Sequence, residues 1–75
     1  MNKIRRKELQ KATDIINEAI NIIEDVLTDE EMAFENLSEG LQQTMRGEQM
    51  EDNIGEMEEC LDNLNSALDN LNSIQ

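Results

Sequence analysis

The chain has 75 residues, with one cysteine, one phenylalanine and no histidine, tyrosine, tryptophan or proline. A chain of this length buries only a thin core unless it is stapled or associates, and the single Cys60 cannot form an internal disulfide and reads as a thiol in a reducing, intracellular setting. Asp and Glu total 18 against 6 Lys and Arg, a formal net charge of -12; such a surface repels nucleic acid and anionic membranes, so direct binding to either is not expected.

The first segment opens with the basic residues Lys3, Arg5, Arg6, Lys7 and Lys11, and Arg46 is the one remaining cation. The apolar stretch that follows is broken by Asp14, Asn17, Glu18 and Asn21, which fits neither a signal peptide nor a membrane span. The expectation is a soluble, cytoplasmic protein. Either basic group is a candidate anion site; the plainer reading makes the start a solvated helix end and Arg46 half of a surface ion pair.

Heptad spacing runs through this first segment. Leu9, Ile16, Ile23 and Leu37 share one position, and Ala12, Ala19, Val26 and Ala33 share the other, so small side chains recur along one line. Ile15, Ile20, Ile22, Leu27 and Phe34 flank that line on both sides, an apolar face wider than one partner helix covers. Thr28 followed by Glu31 matches a capping box, and Glu30 falls on the seam, which raises a break near Thr28 as an alternative. A continuous helix over about 3–37 is the favoured reading.

A connection over about 38–44 leads to a second helix over about 45–73. There Met50, Ile54, Met57, Leu61, Leu64, Leu68 and Leu71 alternate in steps of four and three, and L-D-N-L-N-S-A from Leu61 repeats as L-D-N-L-N-S-I from Leu68. Cys60, Ala67 and Ile74 widen this seam, with Cys60 read as a core residue. Two helices of ~40 to 50 Å, at 1.5 Å per residue, fold back antiparallel, with the basic start beside Asp62 and Asp69. The fold class is all-α: one helical-hairpin domain over 1–75 that associates into a homo-oligomeric bundle, dimer or tetramer, to cover the excess apolar face. Head-to-tail pairing of hairpins would set each basic end near a partner's acidic turn.

Catalysis is not expected. Without histidine or tyrosine, and with one cysteine beside a seam, the usual nucleophile and base pairs cannot be assembled. The Glu-x-x-His motif of helical carboxylate metal sites is impossible, and around Asp29 the acids miss the ligand alternation of a calcium loop because Ala33 stands at a ligand position. No metal or cofactor is expected, and the acidic runs read most simply as solvated faces.

The unusual stretch is A-F-E-N-L-S-E-G-L-Q-Q-T-M-R-G-E-Q-M-E, from Ala33 to Glu51. Thr44 can cap the second helix and place Arg46 and Gly47 in its first turn, where free N–H groups, the helix dipole and a forked cation favour an anion. Gly47 permits close approach of a ligand or of another backbone. Phe34 can stack on a base, and Asn36, Gln42, Gln43 and Glu48 can read its polar edge. Structural roles compete at each position: Phe34 as a core plug, Asn36 as a turn former, the glutamines as solvent-facing residues, Arg46 as partner of Glu48 or Glu39.

This stretch resembles a pattern found in small, acidic, helical proteins of phages and prophages, approximately A-F-D-N-L-P-E-G-L-Q-x-S-x-R-G-E-x-M-E. Glu35, Ser38 and Thr44 depart from it, where the pattern has Asp, Pro and Ser. The resemblance covers about a quarter of the chain. It implies kinship with small oligomeric phage sponges that sequester the cyclic nucleotide signals of anti-phage systems such as CBASS, with binding residues Phe34, Asn36, Arg46, Gly47 and Glu48. Two other readings stay open: an acidic inhibitor that mimics nucleic acid and occupies a basic groove on a host defence protein, and a coiled-coil adaptor.

Overall fold

The computed structural model describes residues 1–74 as a helical hairpin 58 × 15 × 13 Å in extent. Helix α1 spans Lys3–Glu35, a one-turn α2 spans Glu39–Gln42, and α3 spans Met45–Ile74. There is no strand among the described residues. Asn2 caps α1, its side-chain oxygen accepting from the Arg5 amide at 2.8 Å, and this satisfies one of the donors a helix start leaves open.

Helix α1 runs through Thr28 without a break. The Thr28 hydroxyl donates back to the Glu24 carbonyl at 2.9 Å, as Thr13 does to Leu9 at 3.1 Å, so Thr28 is a mid-helix residue and the capping box does not form. The helix ends at Glu35, short of Leu37. Asn36 closes it with αR backbone angles, its amide bonded to the Met32 carbonyl, and the Leu37 amide reaches the Phe34 carbonyl in a tighter turn.

The two long helices pack along heptad seams. On α3 the inward residues are Met50, Ile54, Met57, Leu61, Leu64, Leu68 and Leu71, the alternation legible in the sequence. On α1 the helix is turned by one residue from the small-residue line. Beside Ile16, Ile23, Glu30 and Leu37, the second seam position belongs to Thr13, Ile20, Leu27 and Phe34, while Val26 and Ala33 are exposed and Ala12 and Ala19 lie at the flank. The reason is area: turning Ile20, Leu27 and Phe34 inward removes far more apolar surface from water than turning alanines inward, at about 25 cal/mol per Å².

Even so, the interior is thin. Ile20, at 7 % exposure, is the buried hydrophobic residue of the described chain, and Thr13 is the buried polar one. Ile15 and Ile22 stay more than 60 % exposed. Cys60 is exposed and not in the core, because α1 covers only a narrow side of α3 and Cys60 lies on the flank just before Leu61; Ala67 on the same flank is half-buried, and Ile74 is exposed. The basic start makes no ion pair with Asp62 or Asp69, and the salt bridge among the described residues is Lys11 to Glu8 at 2.9 Å within α1.

Glu30 is the one carboxylate on the α1 seam and is half-buried there. Glu30→Leu is expected to raise stability by ~1 kcal/mol, since a seam position then adds apolar burial. Thermal and urea unfolding followed by circular dichroism measure this, and a lowered midpoint contradicts the seam assignment.

Candidate functional site

The segment from Phe34 to Gly47 folds as a closed turn held by its own side chains. Ser38 caps α2, accepting from the Leu41 amide at 3.3 Å, while its carbonyl accepts from the Gln42 amide at 2.9 Å. The Gln42 side chain then reaches back eight residues. Its amide nitrogen donates to the Phe34 carbonyl at 3.1 Å and the Leu37 carbonyl at 3.2 Å, closing acceptors that the end of α1 leaves open. Thr44 links α2 to α3: its hydroxyl donates to the Leu41 carbonyl and accepts from the Gly47 amide at 3.4 Å.

Gly47 is the tightest point. It is buried, and a Cβ added there would meet the Gln42 backbone, with the Gln42 carbonyl carbon and Cα at 2.6 and 2.7 Å and the carbonyl oxygen closer still. The space a glycine provides at the start of α3 is therefore filled by the chain's own backbone. No glycine here has positive φ; the demand at Gly47 is for closeness, not for an unusual backbone angle.

Of the residues expected to form a ligand site, Gln42, Thr44 and Gly47 are joined in this turn. Asn36 and Gln43 follow the last residues of α1 and α2, Arg46 and Glu48 are exposed on the first turn of α3, and Phe34 is half-buried on the α1 seam. Arg46 makes no ion pair among the described residues, so neither Glu48 nor Glu39 is its partner in the hairpin.

Phe34 opens instead onto a groove between the long helices, about 390 Å³ in volume, lined by Glu31, Glu35, Glu51, Ile54, Gly55 and Glu58 as well. Two carboxylates come from each helix, with Phe34 and Ile54 providing its apolar surface. Glu31 and Glu35 stand four residues apart on α1, a like-charge pair that disfavours the helix, and no lysine or arginine lines the groove to offset them. Gly55 sits mid-helix in open space, with nothing within 4 Å of an added Cβ; packing does not require it, and it leaves the wall beside Phe34 low. Among the described residues no three acidic or cysteine side chains converge closely enough to hold a metal ion.

Sequence reasoning singled out Phe34 but not its acidic neighbours, because Glu31, Glu35, Glu51 and Glu58 sit within runs that read as solvated faces. The available signal was Gly55, an unforced glycine midway between Glu51 and Glu58. No family model, curated protein or solved structure matches the chain.

The two glycines make opposite predictions. Gly47→Ala is expected to lower stability by about 1–3 kcal/mol, the range for forcing an extra carbon into a packed contact. Gly55→Ala is expected to raise it by about 0.5–1 kcal/mol, the helix-propensity difference alone. Denaturant titration of both variants decides, and equal effects of the same sign would contradict this geometry.

Proposed function

We propose that the protein acts by stoichiometric binding without catalysis, and that its target is a basic segment of another protein, taken up in the groove around Phe34. The observation that carries this reading is the groove itself: four carboxylates from two helices surround one half-buried aromatic ring. A lysine or arginine side chain satisfies both features, pairing with the carboxylates and lying against the ring face. A dianionic nucleotide meets repulsion at the same place.

The setting is the cytoplasm of a host cell under phage infection, where an acidic helical protein takes up a basic segment of a defence enzyme in place of nucleic acid. The net charge of -12 and the phage-like stretch over residues 33–51 support it. No helix among the described residues is long and apolar enough to cross a membrane. The protein works as a homo-oligomer, a reading supported by the thin interior and by the exposed Ile15, Ile22 and Val26 of α1.

A second reading rests on Arg46, exposed at the start of α3 and without an ion pair among the described residues. Several copies of Arg46 brought together by association would form an anion site for a cyclic nucleotide, sequestered and not cleaved. Native mass spectrometry with a panel of cyclic di- and trinucleotides tests it: integral nucleotide masses on the oligomer support this reading and count against the basic-segment reading.

The primary test titrates a fluorescent arginine-rich peptide at near-physiological salt. Replacing Glu31, Glu35, Glu51 and Glu58 by glutamine is expected to weaken binding by roughly tenfold, about 1.4 kcal/mol. A control that neutralises Asp52, Glu56, Glu59 and Asp69 makes the same change in net charge and is expected to weaken binding by less than about threefold, since exposed charges outside the groove act only through a screened field. Equal losses in the two variants contradict a built site.

A further inference from the structure

The hairpin leaves a second heptad stripe on α1 partly uncovered, half-buried at Ala12 and Ala19 and exposed between them. Ala12, Ile15, Ala19, Ile22 and Val26 alternate in steps of three and four, the same spacing as the seam that meets α3, displaced to one side of it. Ile15, Ile22 and Val26 on this stripe are at least 50 % exposed. The groove around Phe34 lies on the opposite flank of α1, since Glu31 and Glu35 follow Phe34's seam position on the side away from Ala12 and Ala19.

We infer that this stripe is the contact surface for a second copy of the same chain, packed α1 against α1 in antiparallel orientation about a two-fold axis near Asn17. The inference deepens the self-association in the proposed function by naming its surface and register. Two properties of α1 select the occupant. Its cations, Lys3, Arg5, Arg6, Lys7 and Lys11, lie in its first third, while Asp25, Asp29, Glu30, Glu31 and Glu35 lie in its last third. Among the described residues, the cation with an ion-pair partner is Lys11, paired with Glu8. An antiparallel copy sets each basic third beside the other's acidic third, whereas a parallel copy sets like charges side by side.

The register follows from the same residues. Antiparallel seams interleave so that the two heptad positions face each other. Pairing Ala12 with Ile22 of the second copy, and Ile15 with its Ala19, sets a small side chain against a large one at each of the four layers these residues form. That register places Arg5 opposite the second copy's Asp29, Lys11 beside its Asp25, and the exposed Ile4 beside its Met32. Sliding the helices by one heptad keeps four apolar layers but sets Glu18 beside Asp25, so charge fixes the choice. The remaining unfavourable contacts are Glu8 opposite the second copy's Val26 and Glu18 with its own symmetry mate at the rim near the axis.

The test is a charge swap with rescue, read by sedimentation equilibrium at low salt, with circular dichroism to verify helicity. The wild type is expected to be dimeric, and Arg5→Glu with Lys11→Glu to weaken association at least tenfold. Adding Asp25→Lys and Asp29→Lys to that variant is expected to restore the dimer, because the pairs are re-formed with signs reversed. A spin label on Lys3→Cys, in a Cys60→Ser background, is expected to report about 42 Å between copies, from 28 residues of axial offset at 1.5 Å each. A wild-type monomer overturns self-association itself. A dimer indifferent to the first swap, or one without rescue, overturns this surface while leaving self-association standing. Peptide binding in the groove, measured on the monomeric variant, separates both outcomes from failure of the basic-segment reading.

Discussion

The hairpin depends on one backbone contact, the seating of Gln42 directly over Gly47. Two helices of 33 and 30 residues lie antiparallel only if the chain reverses within a few residues and α3 begins close beneath the connection. Any side chain at Gly47 would occupy the space of the Gln42 backbone, pushing α2 away from the first turn of α3. The Gln42 side chain would then lose its reach to the Phe34 and Leu37 carbonyls, and the end of α1 would be left with unpaired acceptors. Much of the distinctive stretch from Ala33 to Glu51 is thus accounted for by the making of a tight corner.

Against that fixed corner, helix α1 carries three different surfaces around its circumference. One meets α3 through Ile16, Ile20, Ile23 and Leu27. The flank through Glu31 and Glu35 borders the groove with Phe34, where carboxylates from both helices are held in an arrangement that folding does not reward. The other flank, through Ile15 and Ile22, is apolar and exposed. Burial inside the hairpin is small, as expected for so short a chain. Uncompensated charge on one side and uncovered apolar area on the other are the features by which such a molecule would engage partners.

The heptads made the helices and the hairpin legible. Met50 through Leu71 stand on the α3 seam as their spacing requires, and the absence of proline lets α1 run unbroken past Thr28. The rotation of α1 was harder to read, because Ala12 and Thr13, Ala19 and Ile20, or Val26 and Leu27 satisfy the same period. The volume available against the leucines of α3, which a single strand of sequence does not state, decides between them. Cys60 was misplaced for a related reason: its flank is apolar in composition, but the narrow α1 does not extend over it. At the turn, Thr44 was recognisable as a cap and Gly47 as a point of close approach, yet the occupant of that space, the Gln42 backbone, emerges only from the path of α2. The acidic groove was illegible because residues 31 and 58 are brought together by the reversal and not by any local pattern.

The central claim is that the turn residues serve folding while the Phe34 groove serves recognition. Backbone NMR of the isotopically labelled chain, titrated with an arginine-rich peptide, tests it most directly. The account predicts that amide resonances of Phe34, Glu51, Gly55 and Glu58 move together with one saturation curve, while those of Gln42 and Gly47 stay in place. Shifts centred on Arg46 and Gly47, with the groove silent, would contradict it and assign recognition to the turn.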